Sequence, residues 1–225
     1  MNIQFTEQQL ALRDELRAYF RQLMTPELVQ ECERDMGEGG GPLWREALSK
    51  MGRDGWIGVG WTEAWGGRGM TPLEQFIFVE EVMRAGYPFP FLTTESVGPV
   101  LAEQGSDWVK RELVPKILKG ELLISIGYSE PGAGTDLASL TTSAVRDGDE
   151  WVINGQKMWT SLAHFCDYTW LAVRTDPGAP KKHKGISVII VPMDTPGITI
   201  QPLRLMGEHD INATYFDDVR VPAKF

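Results

Sequence analysis

The sequence predicts an α+β protein: an all-helical domain over residues 1–120, then a β-domain, an antiparallel barrel or sandwich, over residues 121–225. Three observations carry this. In the first half, apolar residues recur at helical spacing behind recognisable caps. Near Glu121 the texture changes to short apolar or alternating runs bounded by Gly, Pro, Asn and Asp, which read as strands. No helical pattern of useful length follows that point.

The first helix is predicted to start at Thr6, an N-cap with Gln9 three residues on, and with Phe5 and Leu10 placed for a hydrophobic staple. Leu12, Leu16, Phe20 and Leu23 form its apolar stripe. Thr25-Pro26-Glu27 reads as a second helix start, with Pro at the first helical position. Gly37 to Gly41 and Pro42 make a break. Trp44, Leu48 and Met51 predict a helix ending at Gly52, and the Gly- and Trp-rich stretch 55–70 an extended connection. Thr71-Pro72-Leu73-Glu74 is a second capping box, opening a helix that carries Phe76, Ile77, Val79, Glu80 and Met83 and stops near Gly86. Further helices are expected over 93–104 and 106–118, the latter disturbed by Pro115. Strands are expected over 122–128, 138–146, 151–154, 168–174, 186–192, 199–205 and 212–219. Asp147-Gly148-Asp149 and Asn154-Gly155 are the turn signals.

Composition narrows the function. The 225 residues hold 22 Lys and Arg against 31 Asp and Glu, a net charge of -9. That balance disfavours nucleic acid and anionic membrane as partners. Cys32 and Cys166 are too few and too far apart for a disulfide framework or a zinc site, and read as reduced thiols. His164, His183 and His209 show no metal spacing. The N-terminus lacks the layout of a signal peptide, and no apolar stretch approaches the roughly 20 residues that span a bilayer. The expected location is cytoplasmic.

Two segments carry chemistry. In the first, a strand runs into Tyr128-Ser129-Glu130-Pro131-Gly132-Ala133-Gly134-Thr135-Asp136. Gly132 and Gly134 are expected to permit positive φ and a close approach of backbone N–H groups to a ligand. The loop suits an anionic or heteroaromatic ligand; an ordinary Gly-rich turn with Asp136 as a cap is the alternative. It lacks the glycine spacing of the dinucleotide fingerprint. In the second, Asn154-Gly155-Gln156-Lys157-Met158-Trp159-Thr160-Ser161, Trp159 could stack on a flat ring and Ser161 bond its polar edge. A half-buried Trp on a sheet face is the alternative.

Together, in this order and spacing, the two segments resemble the acyl-CoA dehydrogenase family. The run Phe216-Asp217-Asp218-Val219-Arg220-Val221-Pro222 is similar to that family's strand before its last domain, so the resemblance covers the whole chain. It implies FAD as cofactor, with Tyr128, Ser129, Gly134, Thr135, Trp159 and Ser161 contacting FAD or substrate. By resemblance, Ser129 bonds the pyrimidine side of the flavin and Thr135 lies toward the pantetheine or phosphate end of CoA. Trp159 packs on the isoalloxazine, and Ser161 takes the place of a hydroxyl, usually Thr, near N5. The implied reaction is α,β-dehydrogenation of an acyl-CoA thioester, with a carboxylate taking the α-proton and the β-hydrogen leaving as hydride to the flavin. The implied acceptor is an electron-transfer flavoprotein or similar protein, and the implied assembly a homo- or heterotetramer.

The resemblance also marks what is missing. The family's catalytic base is a Glu in a C-terminal helical bundle that this chain lacks. Glu130 and Asp136 read as turn architecture, so no catalytic residue is assigned here. Either the chain is truncated or a partner completes the site; a non-catalytic subunit and an acyl-CoA oxidase-like flavoenzyme stay open beside the dehydrogenase. The stretch 206–214, with Asn212-Ala213-Thr214 where fatty-acid members usually carry a Ser-Asp or Ser-Asp-Thr element, together with Gly52-Arg53-Asp54-Gly55-Trp56-Ile57-Gly58-Val59-Gly60-Trp61, looks like the actinobacterial branch acting on steroid side-chain CoA thioesters as α2β2 heterotetramers. Drift in a fatty-acid enzyme's loop is the other reading. The stretch 88–96, with Phe89, Phe91 and Glu95, is expected near the inner end of the acyl pocket. Lys181, Lys182, His183 and Lys184 form a basic loop, either near a CoA phosphate or a solvated tip.

Overall fold

A computed structural model describes residues 4–34, 39–205 and 210–225. Residues 1–3, Gly37 of the predicted break, and residues 206–209 of the altered stretch, His209 included, lie outside the described residues. The chain divides into two compact units, Met1–Glu103 with Lys110–Glu121, and Gln104–Val109 with Leu122–Phe225.

The first unit is helical. Helix α1 spans Glu7–Leu23, and Thr6 caps it reciprocally with Gln9. Leu12, Leu16, Phe20 and Leu23 are its buried face. Helix α2 spans Pro26–Arg34 and α3 Pro42–Arg53. No side chain at Gly41 can cap α3, and the Glu31 carboxylate instead accepts from the N–H groups of Leu43 and Trp44. Trp44 then stacks on Tyr87 with ring centroids 5.9 Å apart.

Helix α4, Pro72–Arg84, has its capping box at Thr71 and Glu74. It buries Ile77, Phe78, Glu81 and Val82, while Phe76 and Met83 are exposed. The buried stripe admits Glu81 because Arg17 of α1 donates to both of its carboxylate oxygens, at 3.0 and 3.1 Å. The stretch 55–70 is not extended as expected. It doubles back, with Arg68 N–H donating to Gly58 O and Met70 N–H to Val59 O, and so buries Trp56, Ile57, Val59 and Trp61. The predicted helix over 93–104 opens with a π-helical segment, Leu92–Val97, before α5, Gly98–Gln104. The predicted helix over 106–118 is broken into α6, Asp107–Glu112, and α7, Val114–Leu118, with Pro115 in the first turn of α7, where its missing N–H costs nothing.

The second unit is one seven-stranded sheet: β1 Ile124–Gly127, β2 Ser143–Asp147, β3 Glu150–Ser161, β4 Tyr168–Arg174, β5 Ile186–Pro192, β6 Ile198–Arg204 and β7 Asp210–Pro222. Most ladders are antiparallel, but β1 and β2 both lie parallel to β4. Ile124–Gly127 pairs with residues 168–171 and Ser143 with Arg174, so β1 and β2 follow one another along the same edge of β4. The chain leaves the sheet between them, over residues 128–142, and returns. Residues 138–142 of the predicted strand belong to this excursion, which includes a 3-10 turn at Leu137–Ser139. Ala144, Ile153, Leu171, Val173, Ile189, Val191 and Phe216 are among the side chains that pack the core.

The Asp147-Gly148-Asp149 signal makes the β2–β3 hairpin, with Gly148 at φ 59°. The Asn154-Gly155 signal does not make a turn. Strand β3 runs through it with a register shift against β7 between Ile153 and Gly155. Gly155 takes φ 148°, and the Asn154 side chain is spent across the ladder, donating to Asp218 Oδ1 and accepting from Asp218 N–H, both at 2.9 Å. A cross-strand clasp replaces the turn that the dipeptide would make alone.

Candidate functional site

The excursion 128–142 holds the first predicted segment, and a buried ion pair fixes it. Lys157 of β3 is fully buried, its Nζ donating to Glu130 Oε1 at 2.9 Å and to Tyr128 O at 3.0 Å. Glu130 also accepts from Thr141 N–H, Thr141 Oγ1 and Thr142 N–H, at 2.7 to 2.8 Å. Burial works against charge on Glu130, but these hydrogen bonds outweigh it and hold the carboxyl down at about 2. Burial likewise pulls the Lys157 amine down, opposed by Glu130. The pair stitches both ends of the excursion to β3. At Gly127, where β1 ends, a Cβ would meet Leu171 at 2.9 Å, Thr169 at 3.3 Å and Lys157 at 3.5 Å.

Within the excursion, Glu130 and Ala133 exchange backbone hydrogen bonds of 2.8 and 3.1 Å around a turn at Pro131-Gly132. The expectation of positive φ at Gly132 and Gly134 is not met; neither residue is in the left-handed region. The turn closes without a left-handed glycine, held by the Glu130–Ala133 backbone bonds and by the Glu130 carboxylate against Lys157 of β3. A Cβ built on either glycine meets nothing within 4 Å. The fold thus demands glycine at neither position, and both hydrogens face open space above the loop. Thr135 is exposed beside them, and Asp136 accepts from Ser139 Oγ at the head of the 3-10 turn. Tyr128 is part-exposed, and its oxygen accepts from Trp170 Nε1 at 2.8 Å, leaving the phenol hydrogen to donate elsewhere.

The second segment lies beside the first. Met158 N–H donates to Ser129 O at 2.8 Å, the contact that brings the two together. Between Lys157 and Thr160 the register against β7 shifts again, placing Met158 and Trp159 in a bulge. Trp159 sits at φ 63° and is 55% exposed. A bulky residue in the left-handed region with its indole mostly in solvent gains little from the fold and costs it strain. Ser161 is exposed two residues on, at the end of β3. Tyr128, Ser129, Gly134, Thr135, Trp159 and Ser161 all belong to these two adjoined segments.

Sequence reasoning assigned no role to Lys157 or to the hydrogen bonds of Glu130. Lys157, between Gln156 and Met158, carries no local mark of its burial. Sequence reasoning also missed Arg174, whose guanidinium donates to Leu140 O, Ala138 O and Lys182 O and so ties the end of the excursion to the basic loop. A cleft of ≈ 500 Å³ lies there, lined by Ser139, Thr141, Arg174, Thr175 and Lys182 among others. The altered element Asn212-Ala213-Thr214 is buried in β7, so these side chains are not an exposed face for a partner. Among the described residues no cluster of His, Cys, Asp and Glu could hold a metal ion, and no helix is long and apolar enough to cross a membrane.

Sequence profiles of two domains match the chain end to end: the acyl-CoA dehydrogenase N-terminal domain over residues 6–121 and the acyl-CoA dehydrogenase middle domain over residues 125–219. The chain belongs to the acyl-CoA dehydrogenase family. Acyl-CoA dehydrogenase FadE26 of Mycobacterium tuberculosis is 53% identical over 99% of this chain and 56% of its own length. FadE29 of the same organism is 51% identical over 99% of this chain and 57% of its own length. Among solved structures of the family, the ChsE4-ChsE5 complex of M. tuberculosis contains a chain that superposes with TM-score 0.89 at 52% identity, covering 100% of this chain and 56% of that one. The Tcur3481-Tcur3483 steroid ACAD superposes with TM-score 0.91 at 50% identity, covering 100% and 58%. This chain spans little more than half the length of each of these relatives.

Proposed function

We propose that this chain provides the FAD-binding wall of an acyl-CoA dehydrogenase that acts on a steroid side-chain CoA thioester within a heteromeric assembly. The observation that carries the reading is the strained, solvent-facing Trp159, held against the glycine loop by Met158 and Ser129. A fold keeps such a residue where its face serves a ligand. The residues present fit a flavin: an exposed indole for the ring, hydroxyls at Ser129, Thr135 and Ser161, a phenol hydrogen at Tyr128, and a backbone loop cleared of side chains at Gly132 and Gly134. FAD, when bound, supplies the two-electron acceptor for oxidising the Cα–Cβ bond of the thioester, with an electron-transfer flavoprotein as the onward acceptor.

The chain's own residues bind and orient. Trp159 presents its face, Ser161 offers a donor at the ring edge, and Ser129 marks the pyrimidine side. Thr135 serves the substrate, with the cleft at Ser139, Arg174 and Lys182 toward the charged end of CoA. Proton abstraction falls to a residue outside this chain. Glu130 cannot serve: both carboxylate oxygens are occupied by internal donors, and its low pKa makes it a weak base. The steroid assignment rests on the likeness to the Tcur3481-Tcur3483 steroid ACAD. The test is the absorption spectrum of the full-length protein purified with its partner. Flavin bands, with FAD released on denaturation, are expected. Protein that stays colourless after incubation with FAD overturns the reading.

A further inference from the structure

The flavin-facing edge has a buried polar layer directly behind it. Thr160, Asn212 and Thr214 are 2%, 0% and 2% exposed, and Thr160 Oγ1, Asn212 Oδ1 and Thr214 Oγ1 find no hydrogen-bond partner among the described residues. The three are neighbours. Thr160 pairs directly with Asn212 across the β3–β7 ladder, and Thr214 follows Asn212 by two residues on the same face. Side chains paired in this way stand about 5 Å apart across strands and about 7 Å along one, within reach of one or two bridging water molecules. An orphaned buried oxygen is costly, and three on one patch of sheet call for a common partner.

Asn212 does more than leave an oxygen free. Its Nδ2 donates to Thr160 O at 2.9 Å and lies 3.2 Å from His164 Nδ1. Its Oδ1, an acceptor, meets none of these partners. The two contacts span the segment that follows the Trp159 bulge: Thr160, Ser161, Leu162 at φ 63°, and the turn carrying His164. Two left-handed residues, Trp159 and Leu162, thus lie in a stretch that the buried Asn212 amide holds in addition to its ladder and turn hydrogen bonds.

We propose that Thr160, Asn212 and Thr214 form an internal water site, and that Asn212 is the positioning residue that holds Trp159 and Ser161 in their ligand-facing geometry. Water suits the chemistry: one acceptor and two hydroxyls, each able to donate or accept, with no net charge to neutralise. The consequence for flavin rests on the proposed function; the water site and the pinning of the segment do not.

Two measurements on the full-length protein with its partner separate these levels. A high-resolution crystal structure is expected to show ordered water within hydrogen-bonding distance of at least two of the three oxygens. A dry site, or a protein atom in that place, overturns the water site. Hydrogen exchange in FAD-free protein reads the pinning: Asn212→Leu is expected to speed exchange over residues 159–164 by about tenfold, the effect of one lost hydrogen bond, and to leave the β4–β5 ladder unchanged. Asn212→Ser, which removes the amide donors and keeps a hydroxyl for the water, serves if Asn212→Leu does not fold, and is expected to speed the same segment severalfold. Unchanged exchange in the variant that folds overturns the positioning role. With FAD present, the folded variant should bind it more weakly and show a shifted flavin absorption band. If the parent protein binds no FAD, the flavin reading fails while the exchange result still stands.

Discussion

At Glu130 and Lys157 the residue scale is the scale of the buried charge. Removing one partner leaves the other uncompensated, which costs about 3–5 kcal/mol. Glu130→Gln is therefore expected to lower stability by that order in chemical denaturation, and the double variant Glu130→Gln with Lys157→Met to recover part of it. Glu130 also sets an acid limit. Its folded pKa of about 2 lies below the ordinary carboxylate value, so its contribution is complete above about pH 5 and is lost as pH falls toward 2. The shift corresponds to roughly 3 kcal/mol, less the cost of burying the Lys157 amine. Denaturant midpoints followed from pH 6 to pH 3 should fall in the parent and fall less in Glu130→Gln. Trp159 makes the opposite case. Trp159→Gly removes a left-handed strain of about 1 kcal/mol and little buried surface. Its melting temperature should equal or exceed the parent's while its FAD affinity drops at least tenfold. A marked loss of stability would show that the indole serves the fold instead.

At the scale of elements, three glycines separate what the fold needs from what a ligand needs. Gly155 is at φ 148°, and a Cβ there would stand 2.6 Å from the Thr142 backbone, so Gly155→Ala should cost several kcal/mol by thermal denaturation, on the order of 2–4. Gly132→Ala and Gly134→Ala meet neither strain nor clash and should melt with the parent, yet weaken FAD binding in titration by occupying the cleared space. Comparable destabilisation at all three positions would sink the distinction. The elements also show what was legible in the sequence. Helix α1 is legible in the sequence because its cap and stripe are local. Strands β4 and β5 were bounded correctly for the same reason: each is an apolar run between turn formers. The Asn154-Gly155 dipeptide misled because its structure is decided by Asp218, 64 residues away. The parallel placement of β1 and β2 on β4 left no local mark, and neither did the ion pair that pins the excursion between them. Both candidate segments are marked in the sequence by residue type, the hydroxyls, the glycines and Trp159, whereas their backbone angles are not.

At the scale of the whole molecule, the question is where the reaction acquires its base. The acids in the candidate site are committed: Glu130 to Lys157, Thr141 and Thr142, and Asp136 to Ser139. Under the proposed function, neither of these two acids is left to take a proton from carbon, and general-base catalysis typically contributes 10²–10⁴-fold to rate. Residues 1–225 on their own should then give acyl-CoA-dependent dye reduction at least about 100-fold below that of the full-length protein with its partner. The substrate assignment enters the same assay. With the full-length assembly, a steroid side-chain CoA thioester should exceed a straight-chain acyl-CoA in kcat/KM by about tenfold or more, the discrimination a shaped apolar pocket can provide. Equal turnover by the isolated residues would place the base within this chain and overturn the division of labour. Preference for the straight chain would keep the dehydrogenase and discard the steroid. The two outcomes are independent, because the first depends on the committed carboxylates of one chain and the second on the pocket of the complete enzyme.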